Sequence, residues 1–332
     1  MRLLKWLGLG AAVWIIYWGV AAWGLRSGLE SWFGEQQRQG WQVEHGALQT
    51  SGFPSRHVTR IDQVVLADPG TGAAWSADWM EFDSPALWPG SQTLRLPATA
   101  QRFSFFDQTR TLQAQEMQAE LQLAPGLALE LERLALTAKD WQVSKGTEVH
   151  WQAQDLTLVL AQQDPATHYQ LSASATGFAP SGAFRRMSQL SDTLPQRFDS
   201  LQVQASVQFD TPWDRRAIEL RRPQPRAIDL QLVEAHWGEM RFKATGQLQV
   251  DERGRLTGEL TLQAQNWRAI LDMAERASLL PPSTRNALEQ VLALFAGETG
   301  SQERLNTTLS FDQGQIWIGP LPIGTAPTLV IR

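Results

Sequence analysis

From Trp41 onward the chain alternates apolar and polar residues with a period of two, and this pattern constrains its fold more than any other feature. In an extended strand successive side chains point to opposite faces, so the alternation demands sheet with one dry and one wet face. Leu112-Gln113-Ala114-Gln115 and Met117-Gln118-Ala119-Glu120-Leu121-Gln122-Leu123 read this way, as do residues 127–134, 201–209 and 230–233. A hairpin follows through 246–250, the turn Asp251-Glu252-Arg253-Gly254 and 256–264; strands over 307–311 and 315–318 then flank the turn Asp312-Gln313-Gly314. Turn clusters such as Asp68-Pro69-Gly70, Trp88-Pro89-Gly90 and Ala124-Pro125-Gly126 separate the segments. The class is therefore mainly β, with large antiparallel sheets forming a closed sandwich or an open groove, two shapes that share one pattern. Trp75-Ser76-Ala77 and Trp151-Gln152-Ala153 repeat faintly, as suits a sheet that grows by similar hairpins.

Helical spacing interrupts this pattern near the C-terminus. Asn266 is placed to cap a helix running to Leu280 with Trp267, Ile270, Leu271 and Ala274 on one face. After Pro281-Pro282 a second helix from Ser283 or Thr284 buries Ala287, Leu288, Val291, Leu292 and Phe295 before Gly297 ends it. This helical hairpin, 266–296, is a candidate docking face for an envelope protein partner. A shorter helix is expected over 181–189.

At the other end, residues 6–25 carry no charge. A helix of that length reaches roughly 30 Å, the thickness of a bilayer's hydrocarbon core. Arg2 and Lys5 precede the run, and the basic residues Arg26 and Arg38 that follow are mixed with Glu30, Glu35 and Glu44, which favours a cytoplasmic start. The expectation is a single-pass inner-membrane protein with most of its chain in the periplasm. A cleaved signal peptide is the competing reading, with Val20-Ala21-Ala22 as a small-residue site; the length of the run and the bulky Trp14, Tyr17, Trp18 and Trp23 favour an anchor. Trp6 and Trp23 sit where rings prefer the headgroup level. Trp14, Tyr17 and Trp18 share a face that meets either a partner helix, for which Gly8 and Ala12 leave room, or lipid. The expected organisation is an anchor over 1–25, a juxtamembrane helix over 26–40 with Leu29, Trp32, Phe33 and Gln36 against the membrane surface, and an exported domain over 41–332. That domain can divide into lobes at 41–180 and 200–332.

Composition narrows the chemistry. With no cysteine there is no disulfide framework, thiolate metal site or cysteine nucleophile. The net charge of −5 becomes more acidic still once the basic anchor region is set aside, which argues against nucleic acid. The basic cluster Arg215, Arg216, Arg221, Arg222 and Arg226, set among Pro212, Pro223 and Pro225, reads as an exposed loop or edge strand. His45, His57, His150, His168 and His236 are scattered singly, without metal-ligand spacing. Glu130 and Glu132 have the spacing of a wet strand face, and no phosphate loop, dinucleotide fingerprint or nucleophile elbow appears. No catalytic residue, cofactor or metal is assigned, and a non-enzymatic role is expected.

Gly52-Phe53-Pro54 reads as a strand-entry turn with Phe53 packed into the core. Together with Gly319-Pro320-Leu321-Pro322-Ile323-Gly324-Thr325-Ala326-Pro327, it resembles an uncharacterised bacterial family, domain of unknown function 2125. The resemblance covers the chain end to end and rests on Gly52, Phe53, Pro54, Gly319, Pro320, Pro322, Gly324 and Pro327. It implies an N-terminal membrane helix and tryptophan-rich sheet, and nothing catalytic. More loosely, an anchor followed by long alternating sheet is similar to the AsmA-like envelope proteins, which implies lipid handling or envelope assembly; a structural or protein-binding module without lipid is the alternative.

Overall fold

In the computed structural model, which describes residues 2–180, 195–276, 281–297 and 304–331, the alternating segments form one sheet of 17 strands in which every pair is antiparallel. Its first strands are β1 (Gln42–Glu44), β2 (Leu48–Ser51), β3 (Arg56–Asp68), β4 (Ala73–Pro85), β5 (Ser91–Arg95) and β6 (Gln101–Phe105). The long central ones are β7 (Gln108–Leu123), β8 (Leu131–Lys145), β9 (Glu148–Gln163), β10 (His168–Pro180), β11 (Phe198–Phe209) and β12 (Pro225–Trp237). It finishes with β13 (Met240–Val250), β14 (Leu256–Gln265), β15 (Arg304–Asp312), β16 (Gln315–Ile318) and β17 (Leu321–Thr325).

The pairing follows the chain. β1 and β2 both lie beside β3, β5 and β6 share the lane between β4 and β7, and from β7 to β17 each strand pairs with the next. Strand β10 pairs with β11 from His168↔Gln208 to Phe178↔Phe198, so the sheet continues across the boundary between residues 180 and 200. Register shifts fall inside the long strands, between Gln113 and Gln118 on β7 and between Leu230 and Val233 on β12. Glu116 and Asp140 take positive φ (49° and 43°) there, and bulges of this kind bend the strands that carry them.

The β13–β14 contact depends on two glycines. A Cβ on Gly246 would lie 2.2 Å from the Glu259 carbonyl oxygen, and one on Gly258 would lie 2.2 Å from that of Gln247. Both also have φ (151° and 139°) that side-chain-bearing residues rarely adopt.

Helix α1 (Arg2–Arg38) is unbroken, so the apolar run and the juxtamembrane stretch form one rod. Residues 3–13 are exposed throughout, whereas from Trp14 onward one side of the helix packs on the domain. Leu29, Trp32 and Phe33 join Val43, Ile61, Val64, Trp75 and Met80 in a core, so the face that the spacing lays on a membrane surface covers the start of the sheet instead. Three further helices are α2 (Arg216–Glu219), α3 (Trp267–Arg276) and α4 (Pro282–Gly297). The pair α3–α4 covers the far part of the sheet: Trp267, Leu271 and Leu292, with Leu288 and Val291 beside them, pack on Ala264, Leu305 and Ile318.

Three details differ from the sequence reading. The strand expected from Leu127 begins only at Leu131; Leu129 has φ 51° and Leu127 is 89% exposed in a loop closed by a bond from the Ala124 N–H to the Glu130 carbonyl (2.8 Å). Asn266 stands in a left-handed conformation (φ 59°), and its side-chain amide donates to the Glu239 carbonyl. Ala287 is exposed, because the face of α4 that meets the sheet is centred on Leu288 and Leu292. The helix expected over 181–189, residues 277–280 and the side chains of Ile270, Ala274 and Phe295 lie outside the described residues.

Candidate functional site

The registers align the apolar side chains of successive strands into rows that cross the sheet. One row runs Leu121, Leu134, Leu160, Leu171, Ala205, Leu230, Gly246, Leu260, Leu309 and Ile318, each directly opposite the next. A second runs Phe82, Leu94, Ala119, Leu136, Leu158, Ala173, Val203, Val233, Ala244 and Leu262. The opposite face carries a polar row, Gln118, Thr137, Thr157, Ser174, Gln202, Glu234, Lys243, Gln263 and Asn306. The leucines from Leu121 to Leu230 are half-buried. Helix α1 covers this apolar face at β2–β4 and the α3–α4 pair covers it at β14–β16, which leaves a long apolar surface between two helical ends.

Two hollows adjoin the face. One, of about 720 Å³, lies over the bulges and is lined by Leu96, Met117, Ala138 and Leu156, with Arg95, Glu116 and Lys139 at its margin. The other, of about 440 Å³, lies between α1 and the β4–β5 loop and is lined by Tyr17, Ala21, Gly24, Leu25, Gly28, His57, Ala86 and Pro89.

Where β11 meets β12, residues 210–224 cross to the start of β8. The Leu131 N–H donates to the Trp213 carbonyl (2.7 Å) and the Arg215 N–H to the Ala128 carbonyl (2.9 Å). Fully buried Tyr169 holds this crossing: its hydroxyl donates to the Leu131 carbonyl (3.2 Å) and accepts from the Trp213 N–H (3.1 Å). Burial pushes the phenol pKa up, so the group stays neutral. The basic cluster is largely paired here, Arg216 with Asp214, Arg221 and Arg226 with Asp210, and Arg215 with Glu219.

The aromatic face of α1 meets the Gly-Phe-Pro turn. Trp14 Nε1–H donates to the Pro54 carbonyl (3.1 Å), Trp18 Nε1–H to the Arg56 carbonyl (2.9 Å) and the Tyr17 hydroxyl to the Ala86 carbonyl (2.8 Å). The Trp18 ring stacks on buried His57 (5.0 Å) and takes Phe53 edge-on (5.5 Å). Phe53 is therefore not a core residue: it is 52% exposed at the end of the sheet, with its partner ring on α1. Gly52 has φ 97°, and a Cβ there would press on the Arg56 carbonyl oxygen at 2.9 Å. Trp6 and Trp23 remain exposed on the outside of the helix.

The second motif closes the last hairpin. Gly319 (φ 55°) and Pro320 form the β16–β17 turn, and Pro322 and Gly324 stand opposite Trp317 and Ile316. Exposed Pro327 begins a tail that reaches the β13–β14 turn and the 210–224 crossing, where the Leu329 N–H donates to the Gly254 carbonyl (2.8 Å) and the Ile331 N–H to Gln224 Oε1 (3.0 Å).

The model of a family described as an uncharacterized protein conserved in bacteria (DUF2125) matches residues 18–327. The chain belongs to this family. The DUF2125 match spans from Trp18, which packs on the Gly-Phe-Pro turn, to Pro327 at the start of the tail, and so contains both motifs and all of the sheet. No curated protein matches the chain. Among the described residues no group of three or more His, Asp or Glu side chains is arranged to hold a metal ion. Helix α1 is long and apolar enough to cross a membrane by length and composition.

Proposed function

We propose that this chain is a membrane-anchored, non-enzymatic protein of the periplasm whose sheet holds lipid acyl chains along its apolar face, in lipid handling or envelope assembly. One observation carries the reading: apolar rows ten residues long run in register across the sheet while the opposite face is polar. A sandwich would cover such a face with a second sheet, whereas here helices occupy its two ends and the leucines between stay half-buried. Mid-strand bulges curve the long strands toward a trough, the shape an extended chain of methylenes fills with the least loss of contact. The loose similarity to AsmA-like proteins points the same way as analogy only.

The anchor itself attracts lipid, so the test has to be local. A photo-crosslinking amino acid at Leu160, Leu171 or Leu230 should yield lipid adducts in cells, and the same group at Gln202 or Gln247 on the polar face should not. Protein adducts at the apolar positions would replace lipid by a protein-binding role, and no adduct at any of the three would remove the lipid reading. A reporter fused after Arg332 that is active only outside the cytoplasm tests the side of the membrane.

A further inference from the structure

The loops at one end of the strands differ from those at the other. That end comprises the β2–β3, β4–β5, β7–β8 and β11–β12 connections, and it is where α1 leaves the sheet. Most of the exposed large apolar side chains outside α1 gather there, among them Phe53 (52%), Leu87 (69%), Trp88 (69%), Leu127 (89%), Ile218 (59%) and Leu220 (75%). They are spread along the whole edge, from the strands beside α1 to the crossing loop at β12.

Helix α1 sets the level of this edge. It meets the Pro54, Arg56 and Ala86 carbonyls through Trp14, Trp18 and Tyr17, and residues 2–13 project beyond the domain. Twelve residues of helix reach about 18 Å, short of the roughly 30 Å that a hydrocarbon core requires. The missing length lies in the stretch of α1 that runs beside the loops. If α1 spans, those loops are level with the bilayer.

We infer that this edge is a membrane-seated rim: the strand-end loops sink their apolar tips into the leaflet nearest the domain, and the sheet stands on the bilayer with its apolar face opening from it. Charge agrees with the placement. The β11–β12 loop sets Ile218 and Leu220 among Arg215, Arg216, Arg221, Arg222 and Arg226, five cations against the three carboxylates of Asp210, Asp214 and Glu219. Apolar tips flanked by guanidinium groups suit the boundary between acyl chains and anionic phosphates. The rim rests on the reading of α1 as a retained anchor, and does not depend on acyl chains binding at Leu171.

The absence of cysteine makes the test direct. Single variants Leu220→Cys, Leu127→Cys and Leu87→Cys carry an environment-sensitive fluorophore on the full chain in nanodiscs of phosphatidylethanolamine and phosphatidylglycerol, with nitroxide-bearing lipid as quencher. All three labels should shift to the blue and lose emission to the quencher, while a label at Lys145→Cys, at the opposite strand end, keeps its emission. If the rim labels behave like Lys145→Cys while one at Val13→Cys is quenched, the domain stands clear of the bilayer and the rim is refuted with the anchor intact. If Val13→Cys is unquenched as well, the anchor and the rim fall together, and crosslinking at Leu171 is judged separately.

Discussion

Replacing Tyr169 by Phe removes one oxygen and keeps the ring, which stands edge-on to Phe209 at 5.7 Å. The oxygen has three partners: the Leu131 carbonyl, the Trp213 N–H and the side-chain amide of Gln162. Gln162 retains the Ala166 carbonyl (3.0 Å), so the losses fall on two backbone groups. An unsatisfied buried group costs about 1–3 kcal/mol; with water reaching half-buried Trp213 and Leu131, about 2–3 kcal/mol in total is expected for Tyr169→Phe. Because the damage is confined to one crossing, it should appear as local opening, with hydrogen exchange at the Leu131 and Trp213 amides faster by about 30- to 140-fold. Amides of the distant β3–β4 pair should keep their rates. Unchanged exchange at Leu131 and Trp213 would show that the hydroxyl does not hold the crossing.

Two further outcomes follow from the geometry. Burial alone would raise the pKa of Asp83, but hydrogen bonds from Arg56 (2.5 Å) and Arg95 (2.9 Å) outweigh it and hold the carboxyl below its ordinary value. A carboxyl depressed in the folded state contributes stability that is complete above its unfolded pKa, near 4, and is lost as the pH falls through the folded value. Asp83→Asn should therefore cost about 2 kcal/mol at neutral pH and flatten the acid sensitivity of β3–β4, read by hydrogen exchange across a pH series. Gly258→Ala places a methyl against the Gln247 carbonyl at a strained φ and should destabilise the β13–β14 pair by about 3 kcal/mol, measured as lost protection of the Leu248 and Leu260 amides. Wild-type protection would mean that the strands separate there without cost.

The strands were legible because each has one dry face, and a period of two survives any tertiary context that keeps that face dry. The 127–130 stretch alternates equally well, yet Leu129 is left-handed and Leu127 faces outward, since alternation reports chemistry and not the backbone angles that a loop imposes. The α3–α4 hairpin was legible from its spacing, but which surface received its apolar face was not: Leu288 and Leu292 meet Ala264 and Leu305 of the same chain. Least legible was the fit between Trp14, Tyr17 and Trp18 and the Gly-Phe-Pro turn. All six residues stood out by type, but the indole and phenol donors and their carbonyl acceptors meet across 38 to 69 residues of chain. The in-register rows were equally hidden, because register depends on bulges and turn lengths that apolar patterning does not encode.

Because almost every strand takes its immediate predecessor as partner, the sheet has no step at which an early segment must wait for a late one. Strands can add in the order in which they emerge from synthesis, each new hairpin finding a template already in place, and the slow search usual for large β architectures is replaced by local accretion. The same topology makes length a free variable: inserting or removing one hairpin would lengthen or shorten the array while leaving the joints on either side unchanged.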